Sequence, residues 1–173
     1  MLKEVLDARE ARWNRRLDLV GKYRLPVLTF TLNIPGPDKT RDIFTETHKK
    51  ILDEITSSLE KKGVPVVYVD ERVSPAGPEA FIVLEGDASQ IKRLAVSLEE
   101  NHPIGRILDL DVMDTDGVCL SRDDMGIPQR ACIMCGAPAR ECIVMKRHDG
   151  SEILARVTGM VDGYLKNLHS GDD

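Results

Sequence analysis

At 173 residues, with 42% hydrophobic and 31% charged residues, the chain is long enough for one domain with a hydrophobic core and too short for two ordinary ones. Its apolar runs are too short to cross a bilayer, and a formal net charge of −5 argues against general affinity for nucleic acid or an anionic membrane. The charged, amphipathic start lacks the apolar stretch of a secretory signal, so a cytoplasmic protein is expected, its four cysteines serving as thiols or metal ligands before disulfides.

Residues 2 to 22 space Val5, Leu6, Trp13, Leu17 and Val20 near a helical period and close at Gly21, which predicts an amphipathic helix with those residues as its apolar stripe. Val27 to Asn33 alternates from Leu28 onward and stops at Ile34-Pro35-Gly36-Pro37, a first strand followed by a tight loop. Residues 41 to 62 place Ile43, Phe44, Ile51, Leu52, Ile55 and Leu59 inward on a second helix that Gly63 ends. Two β-rich runs follow, Val64 to Val73 and Glu79 to Glu85, separated by Ser-Pro-Ala-Gly-Pro. A third helix is expected over Ala88 to Glu100, a fourth strand over 104 to 113, and a terminal helix over Ile153 to Leu168.

From 27 to 113 the order is βαββαβ, the split arrangement of ferredoxin-like domains. The expected fold is therefore α+β: a single domain over 1–173, with a ferredoxin-like sheet plus N-terminal and C-terminal helices. In that arrangement the first and fourth strands are neighbours and the helices cover one face. Thr29, Thr31 and Asn33 would then share the uncovered face with Asp109 and Asp111, and the terminal helix would have to cover part of it.

Asp109 and Asp111 stand two apart in an apolar run, so on a strand both carboxylates leave one face while Leu108, Leu110 and Val112 enter the core. Paired carboxylates suit a divalent cation, and the nearby Arg106, Arg122 and Arg130 suit phosphates. The bland reading is a turn entry, since Asp114, Asp116 and Gly117 follow, with arginines that merely face solvent. The Asn33 to Pro37 loop, Gly36 included, could set backbone amides and Lys39 against a phosphate, or be only a rigid turn. Ser121 has no local His and Asp partner, so Ser121-Arg122 reads as a ligand-contact pair rather than part of a hydrolytic triad. Cys132, Cys135, Cys142 and His148 offer four zinc ligands in a row, although the three thiols could also be buried on one helix face. Cys119 reads as core; His48, His102 and His169 read as ordinary helix or loop residues.

Four stretches together resemble a known family. Leu-Thr-Phe-Thr-Leu-Asn-Ile-Pro-Gly-Pro at 28–37, His-Pro-Ile-Gly-Arg-Ile-Leu-Asp-Leu-Asp-Val at 102–112, Leu-Ser-Arg at 120–122, and Arg-Ala-Cys-Ile-Met-Cys with Cys142 and His148 look like the citrate lyase holo-acyl-carrier-protein synthase family, CitX. The resemblance implies a nucleotidyltransferase that moves a phosphoribosyl-dephospho-coenzyme A group from triphosphoribosyl-dephospho-coenzyme A to a serine of the citrate lyase acyl carrier protein (gamma subunit), releasing diphosphate. It implies Mg²⁺ on Asp109 and Asp111, remaining phosphate charge on Arg106, Arg122 and Arg130, and help from Asn33 and the Pro-Gly-Pro loop in positioning the nucleotide. A basic patch of Arg140, Lys146 and Arg147 would dock the acidic carrier. Two other classes compete with this reading: a non-catalytic ligand-binding domain of ferredoxin-like fold, and a zinc-stabilised interaction module.

Overall fold

The computed structural model describes residues 2–170, apart from the side chains of Leu2 and His169, so the expectation for His169 lies outside the described side chains. Helix α1 covers Leu2–Tyr23, strand β1 Val27–Leu32, helix α2 Asp42–Lys61, and a hairpin of β2, Val66–Ser74, and β3, Gly77–Leu84. Helix α3 spans Ala88–Asn101, and its N-cap Asp87 accepts a 2.8 Å hydrogen bond from the Gln90 N–H. A 3-10 turn at Gly105–Ile107 leads into β4, Leu108–Met113, and then a short β5, Cys119–Leu120. A second 3-10 turn, Asp123–Met125, and a six-residue helix α4, Ala139–Val144, interrupt irregular chain before the long α5, Gly150–Ser170. No described helix is long and apolar enough to cross a membrane.

The fold is α+β, with all five strands in one antiparallel sheet ordered β2-β3-β1-β4-β5. β1 and β4 are neighbours, as expected from the βαββαβ order. The two-residue β5, which sequence did not signal, adds to the outer edge of β4.

Alternation divides the sheet into two unlike faces. On one, Leu28, Phe30 and Leu32 of β1, Ala80, Ile82 and Leu84 of β3, and Leu108, Leu110 and Val112 of β4 are buried with Phe44, Ile51 and Ile55 of α2 and Ile91 and Ala95 of α3. Each such large side chain contributes roughly 1.5–3 kcal/mol by leaving water. α5 joins the same cluster through Val157, Val161 and Tyr164, and the Tyr164 hydroxyl donates to Glu54 of α2 at 2.5 Å. This corrects the expectation that the terminal helix covers the aspartate face. Its apolar stripe needs an apolar surface, and the aspartate face offers carboxylates and threonines.

α1 lies on that second face instead. Its Leu19 and Val20 pack on Val27, Phe81, Val83 and Met113, but farther along the sheet the helix meets charge with charge. Arg12 pairs with Glu79 at 2.5 Å, Arg15 with Asp70 at 2.7 Å, and Arg16 with Asp111 at 3.5 Å. The expected apolar stripe is only partly the buried one: Val20 is buried, but Leu6, Trp13 and Leu17 are exposed, while Arg16 is 9% exposed. Apolar periodicity misplaced the inner face because the sheet surface beneath α1 is largely polar.

Candidate active site

The β1–β4 register sets Thr29 opposite Asp111 and Thr31 opposite Asp109, so both carboxylates leave the sheet on the threonine face, as alternation requires. Each stays partly open to water, with side-chain exposures of 42% for Asp109 and 48% for Asp111. Asn33, expected on the same face, follows the end of β1, where its backbone N–H bonds the Ile107 carbonyl at 2.7 Å.

Beyond β4 the sheet edge is completed in two ways. β5 pairs with Val112 and Met113, while at Leu110 the side chains of α3 stand in for a strand. The Leu110 N–H donates to Glu99 Oε1 at 2.9 Å, and the Lys92 ammonium donates to the Leu110 carbonyl at 3.0 Å. Lys92 and Glu99 are 5% and 2% exposed, so their charges must be satisfied locally.

Arginines satisfy Glu99. Arg122 Nη2 donates to it at 2.7 Å, and Arg130 Nη2 donates to its other oxygen. Arg122 also reaches Glu100 at 2.9 Å and the Pro128 carbonyl at 3.1 Å, while Arg130 stands 3.3 Å from Asp109. Around this group lies a cavity of about 260 Å³, lined by Lys92, Glu99, Asp109, Asp111, Ser121, Arg122, Arg130 and Arg140 among others. Burial and the like charge of Asp111 raise the pKa of Asp109, against the opposing pull of Arg130. Ser121 lines the same cavity, but its hydroxyl donates to Asp124 at 2.6 Å.

Arg130 also lines a second, larger cavity of about 440 Å³. Its other walls are Asn33, Pro35, Arg106, Lys146 and His148, with Ile107, Ile133, Ile143, Ile153 and Val157 supplying apolar surface. Burial, then repulsion from Arg130 and Arg122, lowers the pKa of Arg106. Gly36 and Lys39 line neither cavity. Gly36 holds φ +84° in its loop, and Lys39 sits by Arg9 and Arg12 at the α1 side, where burial and those two charges lower its pKa.

Cys132, Cys135, Cys142 and His148 come together, with all four ligand atoms within 4.8 Å of one another. Only Cys142 lies on a helix, α4, so the alternative of three thiols on one helix face is set aside. Cys119, expected in the core, is half-buried in β5 and receives a 3.4 Å contact from Arg16 Nη1. His48 proves to be a core residue, its ring stacked on Phe30 with centroids 4.3 Å apart.

Sequence reasoning missed Lys92, Glu99 and Arg16. A signal existed for the first two: they fall seven residues apart on the stripe that carries Ile91, Ala95 and Val96, and charges at core positions of a helix demand partners. Arg16 had no comparable signal.

The site thus sets an acidic pair beside clustered arginines, next to a larger and partly apolar cavity. The chain belongs to the apo-citrate lyase phosphoribosyl-dephospho-CoA transferase family, CitX, whose family model matches residues 1–164. A probable apo-citrate lyase phosphoribosyl-dephospho-CoA transferase of Vibrio cholerae serotype O1 is 32% identical over 164 residues, covering 94% of this chain and 92% of that protein. The apo-citrate lyase phosphoribosyl-dephospho-CoA transferase of Citrobacter koseri is 30% identical over 160 residues, 92% of this chain and 87% of its own. That of Escherichia coli O7:K1 is 29% identical over 161 residues, 93% and 88% of the two chains.

Proposed function

We propose that this chain attaches phosphoribosyl-dephospho-coenzyme A to a serine of the apo citrate lyase acyl carrier protein, the gamma subunit, using triphosphoribosyl-dephospho-coenzyme A as donor. The observation that carries the reading is the family match over residues 1–164 together with an aspartate pair facing arginines in one cavity. It favours transfer over a non-catalytic ligand-binding domain or an interaction module. We read residues 1–173 as one CitX-like domain and the β2-β3-β1-β4 order as a ferredoxin-like sheet extended by β5. We place it in the cytoplasm, a setting in which thiols such as those of the described cysteines stay reduced.

In this reading the serine oxygen attacks the phosphorus nearest the ribose. A serine-to-phosphorus ester bond forms, the bond to the bridging oxygen breaks, and diphosphate leaves with that electron pair. Asp109, the carboxylate of the pair beside Arg130, takes the serine proton. Arg130 and Arg122, anchored on Glu99, meet the charge of the leaving diphosphate, and Arg106 holds a phosphate in the larger cavity. Asn33 and the isoleucines there orient the nucleotide and its apolar arm, while Ser121 contacts ligand at the mouth of the smaller cavity. Gly36 and Lys39 have no place in this scheme.

The donor set fits Mg²⁺: two carboxylates leave one strand face, both reach solvent, and their mutual repulsion is what a cation relieves. Bound to Asp109 and Asp111, the ion would supply Lewis-acid neutralisation of the phosphate oxygens. Zinc suits the thiol-rich group of Cys132, Cys135, Cys142 and His148 instead. Arg140, Lys146 and Arg147, exposed on and beside α4, would receive an acidic carrier.

The test is incubation of the protein with Mg²⁺, the triphosphate donor and apo carrier, followed by intact mass measurement of the carrier. A gain equal to the prosthetic group, absent with Asp109→Ala, supports the reading; an unchanged carrier with a folded protein rejects it.

A further inference from the structure

The chain between β5 and α5 has little apolar burial to hold it in shape, with Ile133 its one residue packed against the main core cluster short of burial. From residue 121 to 149 only Cys142 is buried, and the regular structure amounts to one 3-10 turn and six residues of α4. Yet this segment carries Arg122 and Arg130 to Glu99, and lends Lys146 and His148 to the wall of the larger cavity. A segment without a core of its own needs a cross-link to be ordered.

The cross-link is written in its side chains. Cys132 and Cys135 lie on a tight turn in which Gly136, at φ +75°, returns the chain: the Gly136 N–H bonds the Cys132 carbonyl at 3.1 Å, and the Cys132 N–H bonds Ala137 at 2.5 Å. The Met134 N–H points at Cys132 Sγ, 3.4 Å away, an arrangement that steadies a thiolate. Cys142, from α4, brings its sulfur to 3.5 Å from that of Cys135, far beyond a disulfide bond length. His148 closes the ring, and its Nε2 is buried with no hydrogen-bond partner. Four donors around one tetrahedral zinc ion stand roughly 3.3–3.8 Å apart. The four atoms here, within 4.8 Å of one another, need only a small contraction to reach that spacing.

We propose that Cys132, Cys135, Cys142 and His148 bind one zinc ion as a closed structural centre, which takes the place of a hydrophobic core for residues 121–149 and so fixes Arg130 between Glu99 and Asp109. Three thiolates and an imidazole select zinc over the hard cation suited to the aspartates. With all four positions taken by protein, the ion has none left for substrate, so it organises the site without entering the reaction. Binding releases the thiol protons and changes no oxidation state. The inference goes beyond the transferase reading and stands without it.

The experiment uses the whole reduced protein, with no carrier or coenzyme present, so its failure is separate from a failure of the transferase reading. Zinc is quantified by mass spectrometry of the elements, and the bound ion's neighbours are counted by X-ray absorption. One zinc per chain with three sulfur and one nitrogen neighbours is expected. Cys119→Ser should keep the metal and Cys142→Ser should lose it. Because Cys142→Ser could fail to fold, the stripped wild-type protein is also titrated with Co²⁺, which should give the visible bands of a tetrahedral thiolate site. Removing zinc should speed amide exchange in 130–148 by about tenfold or more while β1 and β4 stay protected. No zinc or Co²⁺ uptake, loss of the metal in Cys119→Ser, or unchanged exchange on zinc removal would each overturn the proposal.

Discussion

Arg130 and Asp109 stand 3.3 Å apart at the boundary of two cavities, and the same guanidinium is bonded to the buried carboxylate of Glu99. One nitrogen, Nη2, meets both carboxylates, and the rigid guanidinium fixes its place between them, whereas a lysine ammonium rides on a flexible stem. Arg130→Lys is therefore expected to lower kcat/KM for carrier modification by roughly 10²-fold. Steady-state transfer, followed by carrier mass, measures this. A change of less than twofold would remove Arg130 from the chemistry.

Asp109 and Asp111 should behave unequally. Asp109→Asn removes the proton acceptor and should cut kcat by roughly 10²–10⁴-fold. With 42% of its side chain open to water, the substitution should leave thermal stability nearly unchanged. Circular dichroism melts beside the transfer assay separate the two effects.

The sign of the pH dependence follows from the charges around Asp109. In the metal-free protein burial and Asp111 raise its pKa above the ordinary value, so as pH falls Asp109 takes up a proton early and turnover is lost with its power to accept a proton or hold a cation. In Asp111→Asn the like charge is gone, and the acid limb of the remaining activity should move to lower pH. A limb that stays in place in the pH profile of kcat would show that another group controls it.

His48 predicts acid sensitivity of the fold. Burial pushes its pKa down from 6.5 to about 4, partly offset by the hydrogen bond to the Phe30 carbonyl at 3.3 Å. Below pH 6.5 the unfolded chain therefore binds a proton that the folded one refuses. Stability present above pH 6.5 drains away down to about pH 4, by roughly 3 kcal/mol in all. Urea unfolding at pH 7 and pH 4.5 should show a smaller pH-dependent loss for His48→Gln than for the wild type.

Gly105 is the point where the turn before β4 touches the end of α3. A Cβ there would fall 2.8 Å from the Glu99 carbonyl carbon and closer still to its oxygen. Gly105→Ala should cost about 1–3 kcal/mol in denaturant unfolding, because backbone must move against backbone. It should also lower transfer activity, since the shift falls on Arg106 and Glu99 together.

Strand and helix positions were legible because apolar alternation in β1 and β4 marks the face that meets the helices, and the 3.6-residue stripe in α2 marks the side that meets the sheet. That Thr29 and Thr31 share a face with Asp109 and Asp111 followed from that alternation and the βαββαβ order, whereas their one-to-one pairing is set by the register. In α1 the stripe held at Val20 and failed at Leu6, Trp13 and Leu17, since many of its inner contacts are ion pairs of Arg12, Arg15 and Arg16, and a hydrophobic pattern is blind to them. Within the candidate site, Asp109, Asp111, Arg122 and Arg130 converge as their sequence clustering implied. Lys39 does not, because the loop after β1 turns it toward Arg9 and Arg12. Glu99 was overlooked although a buried acid in an apolar stripe is itself a signal. In residues 121–149 the Cys and His set was legible, but the path of the chain between those residues was not, for irregular chain carries no period.

The Leu110 peptide has a consequence for how molecules of this protein meet one another. A strand at the margin of a sheet offers its free N–H and carbonyl groups to any passing chain. Here Lys92 and Glu99 already hold both groups of Leu110, and β5 holds the next stretch of the edge. The strand that displays the two aspartates is thereby sealed against strand addition, and crowded copies can keep their acidic face toward ligand instead of zipping into one another.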